Sequence, residues 1–326
     1  MKNKFLFIFA LLFTLYSGFS QTENDSIVYT VKGEYIEKYT NRITGELFYT
    51  NTFNSYVFKD RDSDLTIDAE PNKQDRIGGS VAFSFLNLSY SFAPDFLAEN
   101  RDNADSRLFN LNLKLFLGKW VQSIDVYSEK GFFLESDQIG SGYFEKIKSF
   151  KIGGNTSYIF NDNFSYKSVI NQTEKQLKSA GSFIPGITYY YSKFSLRDDI
   201  TAVDEDLFLF DIALTPSYHY NFVLADDFLL SAGANVGIGL NYSEYEDEKL
   251  TSLLTEWSVT ATATYDIDNL YLGGHFRYLV LNHNTDRSTR TVDNIPYLQL
   301  FVGYRFNAPK KWVRKIEEIE NNVIKK

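Results

Sequence analysis

The sequence predicts an all-β protein, a transmembrane antiparallel β-barrel of about 12 strands, with about 10 or 14 strands as the alternatives. Three observations lead to this fold: apolar residues recur at every second position, the runs are long, and the connections between them alternate in length. Alternate side chains of a strand point to opposite faces of a sheet. A soluble β-sandwich shares this period, so the other two observations decide between the folds.

The alternation is clearest from Phe228 to Tyr242, where apolar residues, alanine and tyrosine alternate with serine, glycine and asparagine. In a membrane barrel the apolar set faces lipid and the polar set faces the lumen. The pattern predicts further strands at 109–117, 150–160, 208–222, 253–267, 270–280 and 298–306, with shorter runs at 63–70, 77–85, 86–93, 120–129 and 164–172.

Strand length and connection length both favour the membrane barrel. A tilted spanning strand needs about 9–11 residues, whereas sandwich strands usually have about 5–6. The connections alternate between tight turns and polar stretches that are predicted to be long outer loops, as is typical of outer-membrane barrels. The tight turns are 118–119, 161–163, 224–227 and 266–269, and the long stretches are 94–106, 131–146, 243–251 and 283–292.

Aromatic residues crowd the tight turns, which predicts a girdle at a membrane interface. The alternative is that they are ordinary core residues beside turns. They are Trp120, Phe160, Phe164, Phe222, Phe228, Tyr265 and Tyr271.

The chain begins with a predicted secretory signal peptide at 1–20, in which Lys2 and Lys4 precede an apolar run and small residues precede the expected cleavage site. Residues 21–62 have no clean period and are predicted to be a periplasmic segment before a barrel at 63–306. The tail at 307–326 is predicted to be a periplasmic helix, because Trp312, Ile316, Ile319 and Val323 recur at helical spacing. The absence of cysteine excludes a lipid anchor and disulfides.

Several stretches resemble a known family, and they are "PNKQDRIGGSVAF", "GKW", "YSEKGFF", "NFSYKSVINQTEKQLKSAGSF" and "YHYNFVL". Over about residues 60 to 306 the chain resembles an uncharacterised family of outer-membrane barrels from Bacteroidetes-type bacteria, domain-of-unknown-function family 4421. The last strand "LQLFVGYRF" ends in Phe306, similar to the terminal aromatic that the barrel-assembly machinery reads. The resemblance implies a place in the Gram-negative outer membrane, with lipid, lipopolysaccharide and that machinery as partners. It implies no activity, and residues 310–326 depart from barrels that stop at the terminal aromatic.

Composition and motifs exclude several functions. The net charge of −9 argues against nucleic acid, which needs a basic stripe. "DRDSD" at 60–64 is not a calcium loop, because its sixth and twelfth positions are Leu65 and Pro71. No cofactor or metal site is predicted. Acidic loop residues could bind divalent cations beside lipopolysaccharide, although solubility is the preferred interpretation; they are Asp198, Asp199, Asp204, Glu205, Asp206, Glu244, Glu246, Asp247 and Glu248.

The predicted lumen carries ionisable side chains, which usually fill or wet a barrel. His219 and His275 face the same side as Lys114, Asp125, Glu129, Lys151, Lys167, Asp211, Arg277 and Arg305. The preferred function is passive passage of small solutes or a structural, surface-interaction role, without enzyme activity. The alternative is a lipid-modifying hydrolase of the lipase or deacylase type, which needs a serine, a histidine and an acid together.

The stretch "NQTEKQLKSAGS" at 171–182 is predicted to fold into the lumen. The turn at 161–163 and the loop at 195–206 belong at opposite ends, so only one of the runs 164–172 and 183–194 crosses the membrane. The remainder would form a constriction, since irregular polar backbone finds partners inside a barrel. Glu174, Gln176, Lys178, Ser179 and Ser182 would meet the wall, and Gly181 would permit the reversal. The alternative is an ordinary outer hairpin loop, with a strand miscounted elsewhere.

Overall fold

A computed structural model of the chain describes residues 30–320, apart from 53–54, 61, 64, 72–74, 98–106, 139, 199–202, 246–247 and 285–288. The predicted signal peptide at 1–20 and the acidic residues Asp199, Glu246 and Asp247 lie outside the described residues. In the part of the chain that is described, no helix is both long enough and apolar enough to cross a membrane.

The described residues form strands and two short helices, α1 (Lys167–Ile170) and α2 (Lys310–Ile319). The strands are β1 (Thr30–Lys32), β2 (Ile36–Tyr39), β3 (Arg42–Thr52), β4 (Ser55–Asp60), β5 (Thr66–Pro71), β6 (Asp75–Phe83), β7 (Leu86–Phe92), β8 (Arg107–Leu117), β9 (Trp120–Ser136), β10 (Gly140–Tyr158), β11 (Glu174–Gln176), β12 (Ala180–Ile184), β13 (Gly186–Asp198), β14 (Val203–Leu214), β15 (Ser217–Ala225), β16 (Phe228–Tyr245), β17 (Glu248–Ile267), β18 (Leu270–Asn284) and β19 (Thr289–Asn307).

The strands close into a ring of about 12 antiparallel strands, which confirms the predicted transmembrane barrel fold. The order is β3-β6-β7-β8-β9-β10-β13-β14-β16-β17-β18-β19, and β19 returns to pair with β3 along 297–307. Tight turns at 84–85, 118–119, 226–227 and 268–269 lie at one end, here called the turn end. The opposite end is called the loop end. The beginning of β3 and the end of β19 both lie at the turn end.

Two proline residues divide two of the crossings without adding to the ring. Pro185 separates β12 from β13, and Pro216 separates β14 from β15. Proline has no backbone N–H to donate to a ladder, so the regular pairing stops there. The break is bridged by a hydrogen bond of 2.8 Å from the Thr215 N–H to the Gly186 carbonyl. Thus β12 with β13, and β14 with β15, each make one crossing.

The predicted boundary of the barrel at residue 63 is wrong, because the first ring strand is β3 within the segment assigned to 21–62. The outward Leu47 is 70% exposed, but the outward Gly45 and the inward Phe48 obscure the alternation of β3. The predicted strand at 63–70 becomes β5 instead. It forms a hairpin with β4 at the loop end. The predicted number of crossings is therefore correct, but β3 makes the crossing that was assigned to the strand at 63–70.

The ring narrows towards the loop end. There β4 pairs with β19 over 289–294, and β5 pairs with β9 over 132–135. The β4–β5 hairpin thus takes the place of the four strands β3, β6, β7 and β8, which leaves a ring of ten strands at this level.

Three stretches predicted as long outer loops are mostly strand. Residues 131–146, 243–251 and 283–292 continue the ladders of β9–β10, β16–β17 and β18–β19. Backbone pairing extends there beyond the apolar band. The alternation that identifies a strand disappears because neither face contacts lipid.

The outward face is apolar and has aromatic residues at two levels. Near the turn end, Trp120, Tyr158, Phe160 and Phe183 form a chain of ring contacts with centroids 5.0 to 5.9 Å apart. Nearer the loop end, Trp257 lies 5.7 Å from Tyr278. Aromatic girdles on both sides of an apolar band are the usual outer surface of a membrane barrel.

Candidate functional site

The interior of the barrel has three layers, each made by inward side chains of the strands. The plug, residues 164–178, fills the turn end. A polar cavity, here called the chamber, lies behind it. The cap, an apolar cluster, fills the loop end and consists of Tyr56, Ala69, Phe132, Ile147, Phe194, Leu207 and Leu209.

The plug is an excursion between two neighbouring strands, β10 and β12. At its neck the Asn161 side-chain N–H donates to the Gly181 carbonyl at 2.7 Å, and the Asn161 backbone N–H donates to Ser182 Oγ at 3.1 Å. The chain therefore enters and leaves the plug at one point on the wall.

A network of buried side chains holds the plug together. Ser165 Oγ donates to Glu174 Oε2 at 2.7 Å, and the Ser165 N–H donates to Gln176 Oε1 at 2.8 Å. Lys167 Nζ lies 3.7 Å from Glu174 Oε1. Buried polar groups need such partners, so this polar stretch is stable inside the barrel.

The plug contacts the wall on several sides. Thr44 of β3 donates to the Asn171 carbonyl at 2.8 Å, and Gln172 donates to Thr264 of β17 at 3.3 Å. Asn221 of β15 donates to the Ser165 carbonyl at 2.9 Å. Lys167 lies 5.5 Å from the ring centroid of Phe116 on β8. Contacts on strands around the ring close this cross-section.

Arg305 of β19 is the strongest link between the plug and the wall. Its side chain is 2% exposed and lies between the rings of Tyr39 and Tyr271, 4.8 and 4.7 Å from their centroids. Its guanidinium donates to Asp266 at 2.6 Å and to the Gln172 carbonyl at 3.0 Å. A guanidinium offers several donors in fixed geometry, so one side chain fixes both the plug and a turn-end carboxylate.

Outside the barrel mouth the plug joins a small sheet. Its strand β11 pairs with β2, and β2 pairs with β1. Lys178 Nζ lies 2.8 Å from Glu34 Oε1, and this contact holds the pKa of the exposed Glu34 carboxyl below its ordinary value. The pair therefore strengthens attachment only while Glu34 is ionised, and that contribution is lost as the pH falls through its pKa.

The chamber has a volume of about 290 Å³ and is lined mostly by polar side chains. Tyr166 and Val169 of the plug form its floor. The ring of Tyr166 lies 5.3 Å from that of His219, and His275 Nδ1 lies 2.6 Å from Thr262 Oγ1. A Cβ at Gly233 would come within 2.1 Å of His219 Nδ1, so this glycine makes room for the imidazole. This volume far exceeds the roughly 10–15 Å³ that one water needs, so water can fill the chamber.

The cap closes the loop end from opposite walls. Tyr56 on β4 and Phe194 on β13 meet edge to face, with ring centroids 4.6 Å apart. Beneath them, Lys151 Nζ lies 3.7 Å from Asp293 Oδ2, and Asn241 donates to Asp211 at 2.6 Å. These polar pairs separate the apolar cluster from the chamber.

The candidate residues from the sequence occupy different places. Glu174, Gln176 and Lys167 lie in the interior part of the plug, whereas Lys178, its last residue, is exposed. Ser179 accepts from the Val223 N–H, and Ser182 belongs to the neck, so both lie at the wall. His219, His275 and Arg277 line the chamber. The remaining two are Asp211, which lies under the cap, and Arg305, which anchors the plug.

Sequence reasoning missed several interior residues. Glu46 and Arg76 line the chamber from β3 and β6, and Thr44 holds the plug. Recognition of β3 as a ring strand would have found Thr44 and Glu46 by their inward parity. The floor residue Tyr166 belongs to irregular chain, which has no period to read.

The described residues contain neither a hydrogen-bonded serine, histidine and acid nor a cluster of metal-binding side chains. His275 bonds to Thr262, and among these residues neither His275 nor His219 is hydrogen-bonded to a serine or an acidic side chain. Within the same part of the chain, no group of three or more histidine and acidic side chains could hold a metal ion.

The profile of the family described as "Domain of unknown function (DUF4421)" matches residues 23–306. No curated protein is significantly similar to the sequence. Among solved structures, the chain is similar to the outer-membrane protein OmpT of Vibrio cholerae, with 9% identity, a TM-score of 0.35 and coverage of 85% of this chain and 100% of that one. An outer membrane channel from Pseudomonas putida F1 has 10% identity and a TM-score of 0.39, with coverage of 87% of this chain and 100% of that one. The translocator domain of the autotransporter NalP from Neisseria meningitidis has 9% identity and a TM-score of 0.41, with coverage of 80% of this chain and 88% of that one.

Proposed function

The chain belongs to the DUF4421 family, and from that premise we propose that it is an outer-membrane barrel closed at both ends, which encloses a small polar chamber. The outward apolar band with aromatic residues at two levels supports a position in a lipid bilayer. We infer that the turn end faces the periplasm and the loop end faces outward, because short turns are periplasmic in such barrels.

The presence of both a plug and a cap is the observation that supports a closed barrel. An open pore needs a continuous wet path, and hydrophobic constrictions block ions by excluding water. Here Phe164, Gln172 and Gln176 occupy one end, while Tyr56 and Phe194 meet across the other. The resting protein would therefore serve a structural or solute-binding role. Constitutive passive diffusion is not the function that this interior favours.

Conductance tests the closed state. We expect the full mature chain to give no stable open channel in planar lipid bilayers. A variant with residues 164–178 replaced by a short glycine–serine linker, together with Tyr56→Ser and Phe194→Ser, should conduct, because both closures are removed. The same variant shows that inserted protein can be detected. Long-lived open channels from the unaltered chain would overturn the proposal.

The orientation has its own test, made simple by a chain without cysteine. Lys178→Cys at the turn end should react with a bulky impermeant maleimide only after the outer membrane is permeabilised. Asp137→Cys, exposed at the loop end, should react on intact cells and is the matched control. Heat-modifiable migration of both variants checks that the barrel is folded. The reverse labelling pattern would place the turn end outside.

A further inference from the structure

Three cationic side chains line the chamber without a direct ion pair to a described acidic side chain. They are Arg76 on β6, Lys114 on β8 and Arg277 on β18. Among the described residues, none of the three forms an ion pair or a hydrogen bond, and Nε is an unsatisfied buried donor in both arginines. Arg76 is only 4% exposed. An arginine cannot lose its charge in a protein, and the buried Nε of each of the two arginines has no acceptor among the described residues.

The acidic side chains of the chamber are in a different state. Asp125 accepts from Asn112 and from the Tyr190 hydroxyl at 3.3 Å. Glu256 accepts from Asn235 at 3.0 Å, and Glu46 lies beside Tyr271. Neutral donors thus bond these acids directly. Acids act on the cations only at longer range, Asp125 on Lys114 and Arg277, and Glu129 on Arg76. The charged hydrogen-bonding groups left free in the chamber are therefore the Nε donors of Arg76 and Arg277, beside the neutral acceptors Asn87 Oδ1 and Asn235 Oδ1.

The two arginines converge on the same tyrosines. Arg277 lies 6.0 Å from the ring centroid of Tyr297, and both guanidinium groups are within electrostatic range of Tyr127 and Tyr297. Lys114 is likewise within range of Arg277. The planar fork of an arginine matches a carboxylate, and aromatic faces offer walls to a flat organic group.

We propose that the chamber binds a small organic anion through a carboxylate that contacts Arg76 and Arg277, with its body between Tyr127 and Tyr297. The volume of about 290 Å³ is at the lower limit of the roughly 300–1,000 Å³ of ligand pockets, which suits a ligand about the size of one aromatic acid. The inference rests on the proposed function, because a barrel closed at both ends keeps this charged cluster from bulk salt.

Binding is tested by equilibrium dialysis of the full mature chain in detergent micelles, refolded in the presence of each ligand so that the chamber fills before it closes. Benzoate is compared with two molecules of similar shape, the neutral benzyl alcohol and the cationic benzylamine, and with inorganic phosphate. We expect saturable binding of benzoate, with at least about tenfold weaker binding of the other three, since a charge-assisted hydrogen bond contributes about that much.

Variants identify the site. Arg277→Gln and Arg76→Gln should each raise the benzoate Kd roughly tenfold or more, and Arg277→Lys should restore only part of the loss because lysine lacks the fork. Arg290→Gln, at an exposed site in the loop-end part of β19, should leave the Kd unchanged. Heat-modifiable migration confirms that each variant folds. Equal binding of benzyl alcohol, a preference for phosphate, an unchanged Kd in both arginine variants, or no binding of benzoate would each overturn the inference.

This result is distinct from that of the conductance test. A silent barrel that binds no benzoate refutes the anion site alone. A barrel that conducts without alteration refutes the closed state, whatever it binds.

Discussion

Replacing residues 164–178 with a short glycine–serine linker is expected to speed reaction of a cysteine inside the chamber by at least about tenfold, which corresponds to about 1.4 kcal/mol. The reporter is Ser258→Cys, which lines the chamber and is 8% exposed. With the plug in place, a charged thiosulfonate reagent must wait for local opening. Without the plug, the turn end admits it directly. Stopped-flow labelling of purified protein in micelles measures both rates.

The matched control for this prediction is Asp137→Cys, which lies exposed at the loop end and should react at the same rate in both backgrounds. The neck should survive the replacement, because Asn161 and Gly181 are already hydrogen-bonded. Equally fast labelling of Ser258→Cys with the plug present would contradict the role of residues 164–178 as the closure of the turn end.

Arg305→Met is expected to lower the free energy of unfolding by roughly 3–5 kcal/mol, the usual effect of breaking a buried ion pair. Asp266 would keep a buried charge without its partner, and the Gln172 carbonyl would lose a charged donor. Urea unfolding in lipid vesicles, followed by tryptophan fluorescence, measures the change.

The double variant Arg305→Met with Asp266→Asn should lose less than Arg305→Met alone, because no uncompensated charge remains. Arg290→Gln, which is exposed, should stay within about 0.5 kcal/mol of the parent chain. A single variant as stable as the parent, or a double variant less stable than the single, would contradict the anchoring role of Arg305.

The sequence predicted the barrel because lipid and lumen impose opposite demands on alternate positions, as β16 shows from Phe228 onwards. The prediction fails where the contrast between the lipid-facing and the lumen-facing side chains of a strand is weak. In β3 a glycine faces lipid and a phenylalanine faces inward, so the contrast was lost and the barrel was predicted to begin too late. Above the apolar band, hairpins such as β9–β10 are held by backbone pairing, which leaves no trace in side-chain alternation.

The candidate site was less accessible to sequence reasoning. Parity identified His219, His275 and Arg277 as inward residues, because each lies on a regular strand. Parity does not predict that Asp211 lies under the cap or that Arg305 anchors the plug. The position of a side chain along the barrel axis and its contacts on other strands depend on how the ring closes. Counting crossings led to an inward segment at 171–182. The structure places 164–178 inside and assigns 180–184 to the wall strand β12.

The closeness of the two ends of the plug determines how it could move. Since Asn161 and Gly181 are hydrogen-bonded, the two chain segments that connect the plug to the wall lie side by side between β10 and β12. They form a single hinge. The plug therefore cannot be expelled as a free domain, and would open by swinging about that hinge. In such a movement, the hydrogen bonds from Thr44 and Arg305 to the plug would break first, because they lie far from the hinge. The hydrogen bond from Asn221, on a strand beside the hinge, would break last. Such a movement changes the conformation of one short segment and alters the chain entropy little. The plug therefore stays close to its binding position in the barrel and can return to it directly.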